Sequence, residues 1–214
     1  MKRTCEAEIL DSLAEGDPEA VRSRRDLLLI NRVMGNAAWF ERVLPPLLRP
    51  GERVLELGAG TGELGLRLGS LGIPVDGLDL WGRPAAWDPA QAWHKADLRT
   101  FGGYGTYPVV IGNLILHQFG AADLARLGRD LRASARVVVA CEPARRRLSQ
   151  ALVGAIGPIL RASPVTLHDA RVSISAGFLH GELPGALGLD DGGWSCSCRT
   201  TAIGAYRMVA VRRR

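Results

Sequence analysis

The chain has 214 residues, 47% hydrophobic, with 27 basic and 22 acidic side chains and a net charge of +5. That supports one domain with a substantial core and excludes a disordered chain. No segment reaches about 18 consecutive apolar residues, and no long apolar run follows the basic start Met1-Lys2-Arg3. A cytoplasmic protein without a signal peptide or membrane span is therefore expected.

Only Lys2 and Lys95 are lysines, so nearly all the positive charge is arginine. Together with abundant Ala, Gly and Leu, this reads as codon bias, with an anionic partner as the alternative. Cys5, Cys141, Cys196 and Cys198 are too scattered for a disulfide scaffold. Cys196-Ser197-Cys198 has one intervening residue where a metal knuckle needs two to four, so no metal site is expected.

Residues 1–49 read as a helical segment that packs on the rest and could cover a ligand cleft. Asp17-Pro18 has the form of an N-cap followed by proline at the first helical position. Leu27, Ile30, Val33 and Met34 recur at helical spacing. Gly35-Asn36 interrupts the pattern, and Pro45-Pro46 ends it.

Residues 50–214 form the main unit. The pattern predicts strands at Arg53–Leu57, Val75–Leu80, His94–Asp97, Val109–Asn113 and Arg136–Cys141. Helices are predicted at Glu63–Ser70, Asp88–Trp93 and Ala122–Arg132. This rhythm predicts an α/β fold, a Rossmann-like parallel sheet with helices on both faces. A helix over Arg147–Leu160, an irregular stretch from Ser163 to Gly181, and a short helix at Glu182–Leu187 follow. Strands at Trp194–Arg199 and Ala205–Arg212, joined through Gly204, complete the sheet as an antiparallel pair.

Function is concentrated in Glu56-Leu57-Gly58-Ala59-Gly60-Thr61-Gly62. A strand carrying an acid, a glycine turn, a helix, and a second strand ending at Asp79 make a nucleotide-binding crossover. The glycines let the backbone approach a ligand, and Asp79 is placed to accept from ribose hydroxyls. Gly60-Thr61-Gly62-Glu63-Leu64-Gly65 also matches the dinucleotide pattern G-x-G-x-x-G. That reading sets a pyrophosphate beside Glu63, whereas a sulfonium and an ammonium would welcome the carboxylates.

The set of motifs over roughly residues 50–145 resembles the class I S-adenosylmethionine (SAM)-dependent methyltransferases. Glu56 to Gly62 is similar to their first motif, Asp79 to their ribose-binding acid, and Ala96-Asp97-Leu98 to the segment that meets the adenine amino group. Asn113-Leu114-Ile115-Leu116-His117-Gln118-Phe119 resembles the end of their fourth strand, and Val138 to Pro143 their fifth. Pro108, where many members carry aspartate, is a departure. The resemblance implies a seven-stranded sheet whose last strand is antiparallel. It implies SAM as cofactor, S-adenosylhomocysteine (SAH) as product, and cofactor contacts from Glu56, Gly58, Ala59, Gly60, Gly62, Asp79, Leu80, Trp81, Asp97, Leu98, Asn113 and Leu114. Asn31 to Trp39 and His168 to Ile174 are similar to small-molecule methyltransferases of bacterial secondary metabolism, some of them beside type III polyketide synthases.

Methyl transfer from a sulfonium needs alignment, exclusion of water and, for a phenol, a base. His117, just beyond a strand end, is the candidate base; the alternative is a histidine that only bonds the loop backbone. Asn36, Trp39, His168 and His180 are candidate substrate residues. Trp39 could equally be core, His168-Asp169 could form a histidine–carboxylate pair or Asp169 simply cap a turn, and Trp87, Trp93 and His94 read as packing groups. Arg145-Arg146-Arg147 and Arg212-Arg213-Arg214 could contact RNA, but charge runs are usually solvated. The expected partner is a small molecule, phenolic or polyketide-like with O- or C-methylation favoured. An RNA or protein methyltransferase and a non-catalytic SAM-binding partner are the rivals. Monomer and homodimer both remain open.

Overall fold

The computed structural model describes residues 1–14, 16–159 and 162–213. Leu160, where one helix was expected to end, and Arg214 of the terminal arginine run lie outside the described residues. Seven strands form one sheet: β1 (Val54–Leu57), β2 (Val75–Asp79), β3 (Trp93–Lys95), β4 (Val109–Asn113), β5 (Val137–Pro143), β6 (Trp194–Thr200) and β7 (Ala205–Arg212). Their spatial order is β3-β2-β1-β4-β5-β7-β6. β1 to β5 pair in parallel, and β7 runs antiparallel to both β5 and β6. The order reverses between β1 and β4, which opens a crevice at their carboxyl ends.

The helices are α1 (Ile9–Ser12), α2 (Pro18–Met34), α3 (Asn36–Val43), α4 (Glu63–Ser70), α5 (Ala121–Ser134), α6 (Arg147–Ile159), α7 (Pro164–Ala176) and α8 (Glu182–Leu187). Side chains alternate along the central strands, so both sheet faces are apolar. Val109, Ile111, Val137 and Val139 join Phe40 of α3 and Leu64 and Leu68 of α4 on one face. Val110, Val138 and Ala140 join Leu124, Leu127 and Leu131 of α5 and Leu183 and Leu187 of α8 on the other.

Local chemistry accounts for the ends of these elements. The Asp17 carboxylate accepts from the amides of Glu19 and Ala20, and Gly35 closes α2 in the left-handed region at φ 63°. Arg207 of β7 donates to the carbonyls of Met34 and Gly35 and so fixes the α2–α3 elbow on the sheet.

Two expectations need correction. The stretch after Ser163 is not irregular. Ser163 caps α7 by accepting from the Thr166 amide, and Pro164 takes the first helical position. Asp88–Trp93 is not a helix: Asp88 folds a local turn by accepting from the Ala90 amide at 2.8 Å. Trp87 and Trp93 pack edge to face, 4.9 Å between ring centroids.

Candidate functional site

A cleft of about 1090 Å³ lies over the carboxyl ends of β1, β2 and β4. The glycine loop, the ends of β2 and β3, and Asn113 and Leu114 form one part of its wall. The N-terminal strap, α2, α7 and the 3₁₀ turn Leu116–Gln118 form the rest.

Gly58, Gly60 and Gly62 all have positive φ, which turns the chain sharply from β1 into α4. At Gly62 a Cβ would meet Trp87 Cε3 at 2.6 Å. At Gly60 it would meet nothing closer than the Gly58 carbonyl at 4.0 Å. Gly62 is therefore reserved for internal packing, whereas Gly60 leaves an open cradle in the cavity wall.

Asp79 is held by two backbone donors. Its Oδ2 accepts from the Gly60 amide and its Oδ1 from the Trp81 amide, both at 2.8 Å. A carboxylate has about four acceptor sites, so lone pairs remain for a ligand diol. Arg24 of α2 lies over Trp81, 5.8 Å from the ring centroid, and brings the helical segment across this end of the cleft. Asp97 is chelated by Arg99 at 2.5 to 3.0 Å, and that bond holds its pKa below the ordinary carboxylate value.

Glu56 is the exception to polar satisfaction. It is 3% exposed and lines the cleft, and among the described residues its Oε2 has no partner. Burial pushes its pKa up to about 8; the Gly65 amide opposes this and the Asp79 charge adds to it. A buried carboxylate oxygen without a donor is costly, so this position calls for a donor from a ligand, preferably a cationic one.

At the end of β4, Leu114 adopts φ 58°, a conformation that costs a non-glycine residue roughly 1–2 kcal/mol. Strain of this kind clusters at functional sites. Beside it, Asn113, Asn31 and Asn36 form a closed amide triad. Asn36 donates to Asn31 and to Asn113 at 3.0 Å, and Asn113 donates to Asn31 at 3.2 Å. The triad ties the α2–α3 elbow to the strand end that carries the site.

His117 is buried between two acids. Its Nδ1 lies 2.7 Å from Glu142 Oε2 and its Nε2 3.3 Å from Glu8 Oε1. Burial alone would lower its pKa, but the bonds and charges of Glu142 and Glu8 prevail and raise it to about 9. Both ring nitrogens thus face carboxylates, an arrangement that favours the imidazolium over the neutral ring. A base poised near neutrality, as read from the sequence, requires that this pairing be relieved. Glu142 also accepts from the amides of Ile115, Leu116 and His117, which fixes the turn that carries the imidazole.

The remaining predicted residues divide plainly. Glu56, Gly58, Ala59, Gly60, Asp79, Leu80, Trp81, Asp97, Leu98, Asn113, Leu114 and His117 meet at the one cleft, and Gly62 sits behind its wall. The substrate candidates do not reach it. Asn36 is fully buried in the amide triad. Trp39 faces the sheet, edge-on to Phe40 and under the Arg207 guanidinium, because the helical register gives Ala37 and Ala38 to the cleft instead. His168 lies on the exposed side of α7, with its Nδ1 3.0 Å from Asp169 Oδ1. His180 is exposed at the start of α8, where its carbonyl accepts from the Tyr206 hydroxyl. Arg145 is buried against Glu182 and the Gly177 carbonyl, so it is no surface charge for RNA.

Sequence reasoning missed Glu8 and gave no individual role to Asn31 or Ser173, and it weighed Asp169 only as a partner of His168 or a turn cap. Asp169 accepts from the amides of Ile9 and Leu10 at 2.8 and 3.0 Å and caps α1 from a distant helix. Only the Ser163-Pro164 pair signalled α7; nothing local marked Glu8.

No protein-family model and no curated protein matches the chain. Solved structures do. The plantazolicin methyltransferase BpumL in complex with SAH superimposes with a TM-score of 0.70 at 11% identity, over 93% of this chain and 92% of that one. Magnesium protoporphyrin IX methyltransferase from Synechocystis PCC 6803 with bound SAH gives 0.55 at 20% identity, over 95% and 91%. A structure described as the conversion of a disulfide bond into a thioacetal group in echinomycin biosynthesis gives 0.58 at 20% identity, over 83% and 80%. The fold is that of the SAM-dependent methyltransferases. It is a seven-stranded mixed sheet with β7 antiparallel, in accord with the architecture read from the sequence.

Proposed function

We propose that this chain is a SAM-dependent methyltransferase with a small-molecule acceptor. The unpartnered Glu56 carboxylate in the cleft wall carries the reading. Glu56, Glu63 and Asp79 all line the cleft around the glycine loop. Glu63 and Asp79 so placed disfavour a pyrophosphate, and Glu56, once it gives up its proton, favours a ligand bearing an ammonium and a sulfonium. The neighbours crystallised with SAH or SAM support the same cofactor.

In this reading Asp79, oriented by the Gly60 and Trp81 amides, accepts from the ribose diol. The Trp81 and Leu80 side chains, exposed at the end of β2, cover the purine, and Asp97 with Leu98 meets its amino edge. Ala59 and Gly60 line the loop against the ligand, while Gly58 and Gly62 shape its turn. Asn113 and Leu114 fix the edge of the cleft nearest His117. SAM supplies an activated methyl group on a sulfur that leaves readily. The chain aligns the acceptor, excludes water and manages a proton at His117.

A phenolic, polyketide-like acceptor methylated on oxygen or carbon fits best. Apolar residues including Leu27, Ile30, Phe119, Val153, Leu167 and Ile174 line the cleft, and Glu8, His117, Gln118, Thr166, Asp169 and Ser173 are among its polar groups. Residues 1–49 act as the cover, and the protein works in the cytoplasm in secondary metabolism. The described residues contain no helix long and apolar enough to cross a membrane.

Labelled methyl transfer from SAM to a panel of phenols and naphthols tests the proposal. The expected result is label in the organic extract with equal release of SAH. Label appearing only in RNA or protein would replace it with the macromolecular reading. SAH binding without any transfer would support the non-catalytic one.

A further inference from the structure

We propose that Glu8, carried by the N-terminal strap, belongs to the acceptor site as a positioning residue. Seated on His117 Nε2, it decides whether that nitrogen carries a proton or offers a lone pair. The catalytic consequence rests on the methyl-transfer reading; the proton coupling itself does not.

Glu8 lines the cleft and is mostly buried. Its Oε1 faces His117 Nε2 at 3.3 Å and accepts from the Ser173 hydroxyl, while Oε2 lies 3.5 Å from the Gln118 amide nitrogen. On the other side of the ring, Glu142 holds Nδ1 at 2.7 Å. With Nδ1–H given to Glu142, a neutral ring would turn the Nε2 lone pair toward an ionised carboxylate. That contact is repulsive, so a seated Glu8 requires the proton on Nε2. With Glu8 away, Glu142 still fixes Nδ1–H, and Nε2 becomes a neutral, oriented acceptor. The proton of an acceptor hydroxyl can then move to it: the O–H bond breaks, the Nε2–H bond forms, and the oxygen keeps the electron pair.

The strap is built to leave. Apart from Glu8, mainly polar contacts hold it: Arg3 donates to the carbonyls of Ala176, His117 and Phe119 and lies over the Phe178 ring, Arg145 donates to the Met1 carbonyl, the Thr4 amide donates to the Ser175 carbonyl, and Asp169 takes the amides of Ile9 and Leu10. Met1, Lys2, Thr4, Cys5, Glu6, Ala7 and Ile9 are exposed. Water can replace such bonds, whereas it cannot replace a buried apolar contact.

The charged and titratable groups near the imidazole are few. Glu142 comes from β5, Glu8 and Arg3 from the strap, and Asp169 from α7. The Cys5 thiol contacts the His117 carbonyl, and Arg3 donates to that same carbonyl without touching the ring. Of these, among the described residues, only Glu8 and Glu142 contact the ring nitrogens, and Glu8 sits on a segment held mainly by part-buried polar bonds.

The test is an NMR titration of the His117 ring in the full chain without ligand, assigned by loss of the signal in His117→Asn. Wild type should titrate near the raised value of about 9. Glu8→Gln should lower the midpoint by about one pH unit or more, a tenfold loss of proton affinity, and Glu8→Asp should restore much of it. With a phenolic acceptor, the rise of kcat/KM in Glu8→Gln should move to lower pH by the same amount, with SAH affinity unchanged. Ser173→Ala, which leaves the Glu8 charge in place, should shift the midpoint far less and serves if Glu8→Gln does not fold. A midpoint unmoved in Glu8→Gln, or lowered equally by Ser173→Ala, overturns the proposal. Failure to bind SAH with the titration shift intact would instead remove the methyl-transfer reading alone.

Discussion

Burial holds the Glu56 carboxyl protonated up to about pH 8, so a ligand that sets a cation on Oε2 must displace that proton. The sign follows: cofactor affinity should rise with pH below about 8, by up to tenfold per pH unit, because the binding-competent ionised form becomes commoner. Titration of SAH between about pH 6 and 7.5 reads this directly. Glu56→Gln should weaken binding and flatten the dependence; a wild-type affinity independent of pH would show that Glu56 does not face the ligand's cation. Two glycines separate packing from binding in the same loop. Gly60→Ala places a methyl in the open cradle at φ 54°, and should cost about 1–2 kcal/mol of stability while reducing SAH affinity more than tenfold. Gly62→Ala drives its Cβ into Trp87 and should cost about 2–4 kcal/mol, strain and overpacking together. Thermal melts of the two variants should rank Gly62→Ala below Gly60→Ala.

Among the elements, α7 joins the N-terminal strap to the cleft. Its Asp169 anchors the strap by two backbone amides, so Asp169→Ala should loosen α1 at Ile9–Ser12 without unfolding the sheet. Hydrogen exchange should then show lost protection at Ile9 and Leu10, with β4 and β5 unchanged. Protection retained at those amides would mean that the strap is held elsewhere. The sequence concealed α7 because its inward face is mixed: Thr166 and Asp169 are buried alongside Val172 and Ala176, so the apolar period of a helix is missing. The Ser163-Pro164 pair carries the same capping logic that correctly placed the start of α2 at Asp17-Pro18. By contrast, β4 and the β7 strand were legible to the residue, because alternating or continuous apolar runs bounded by turns follow from burial on the sheet. Asp88–Trp93 misled because its spacing suited a helix while Asp88 and the two tryptophans stabilise a turn.

On the scale of the whole molecule, the cofactor side of the cleft was legible because its chemistry is local. Glycines, Glu56 and Asp79 lie within one crossover, and the fold brings them together by short connections. The side around His117 was not, because it depends on distant pairings: Glu8 with His117 and Asp169 with Ile9 join residues more than a hundred positions apart. Local periodicity holds no record of those contacts. The same burial shapes the pH response of the fold. His117 is raised from 6.5 to about 9, so its stabilising contribution is complete below about pH 6.5 and is lost as pH rises through about 9. Glu56, raised from 4.5 to about 8, contributes with the same sign and is lost through about pH 8. Asp76, despite the opposing effect of burial, is held low by Arg53, and Asp97 is held low by Arg99; both stabilise in the other direction and fail on acidification. The ligand-free protein should therefore melt highest in mildly acidic buffer, and its melting temperature should fall from about pH 6.5 to 9. His117→Asn should shallow that fall. The most direct measurement is calorimetric titration of the intact chain with SAH and, separately, with NAD. One site for SAH and no heat from NAD is the predicted result; binding of NAD with none of SAH would contradict the assignment of the cleft.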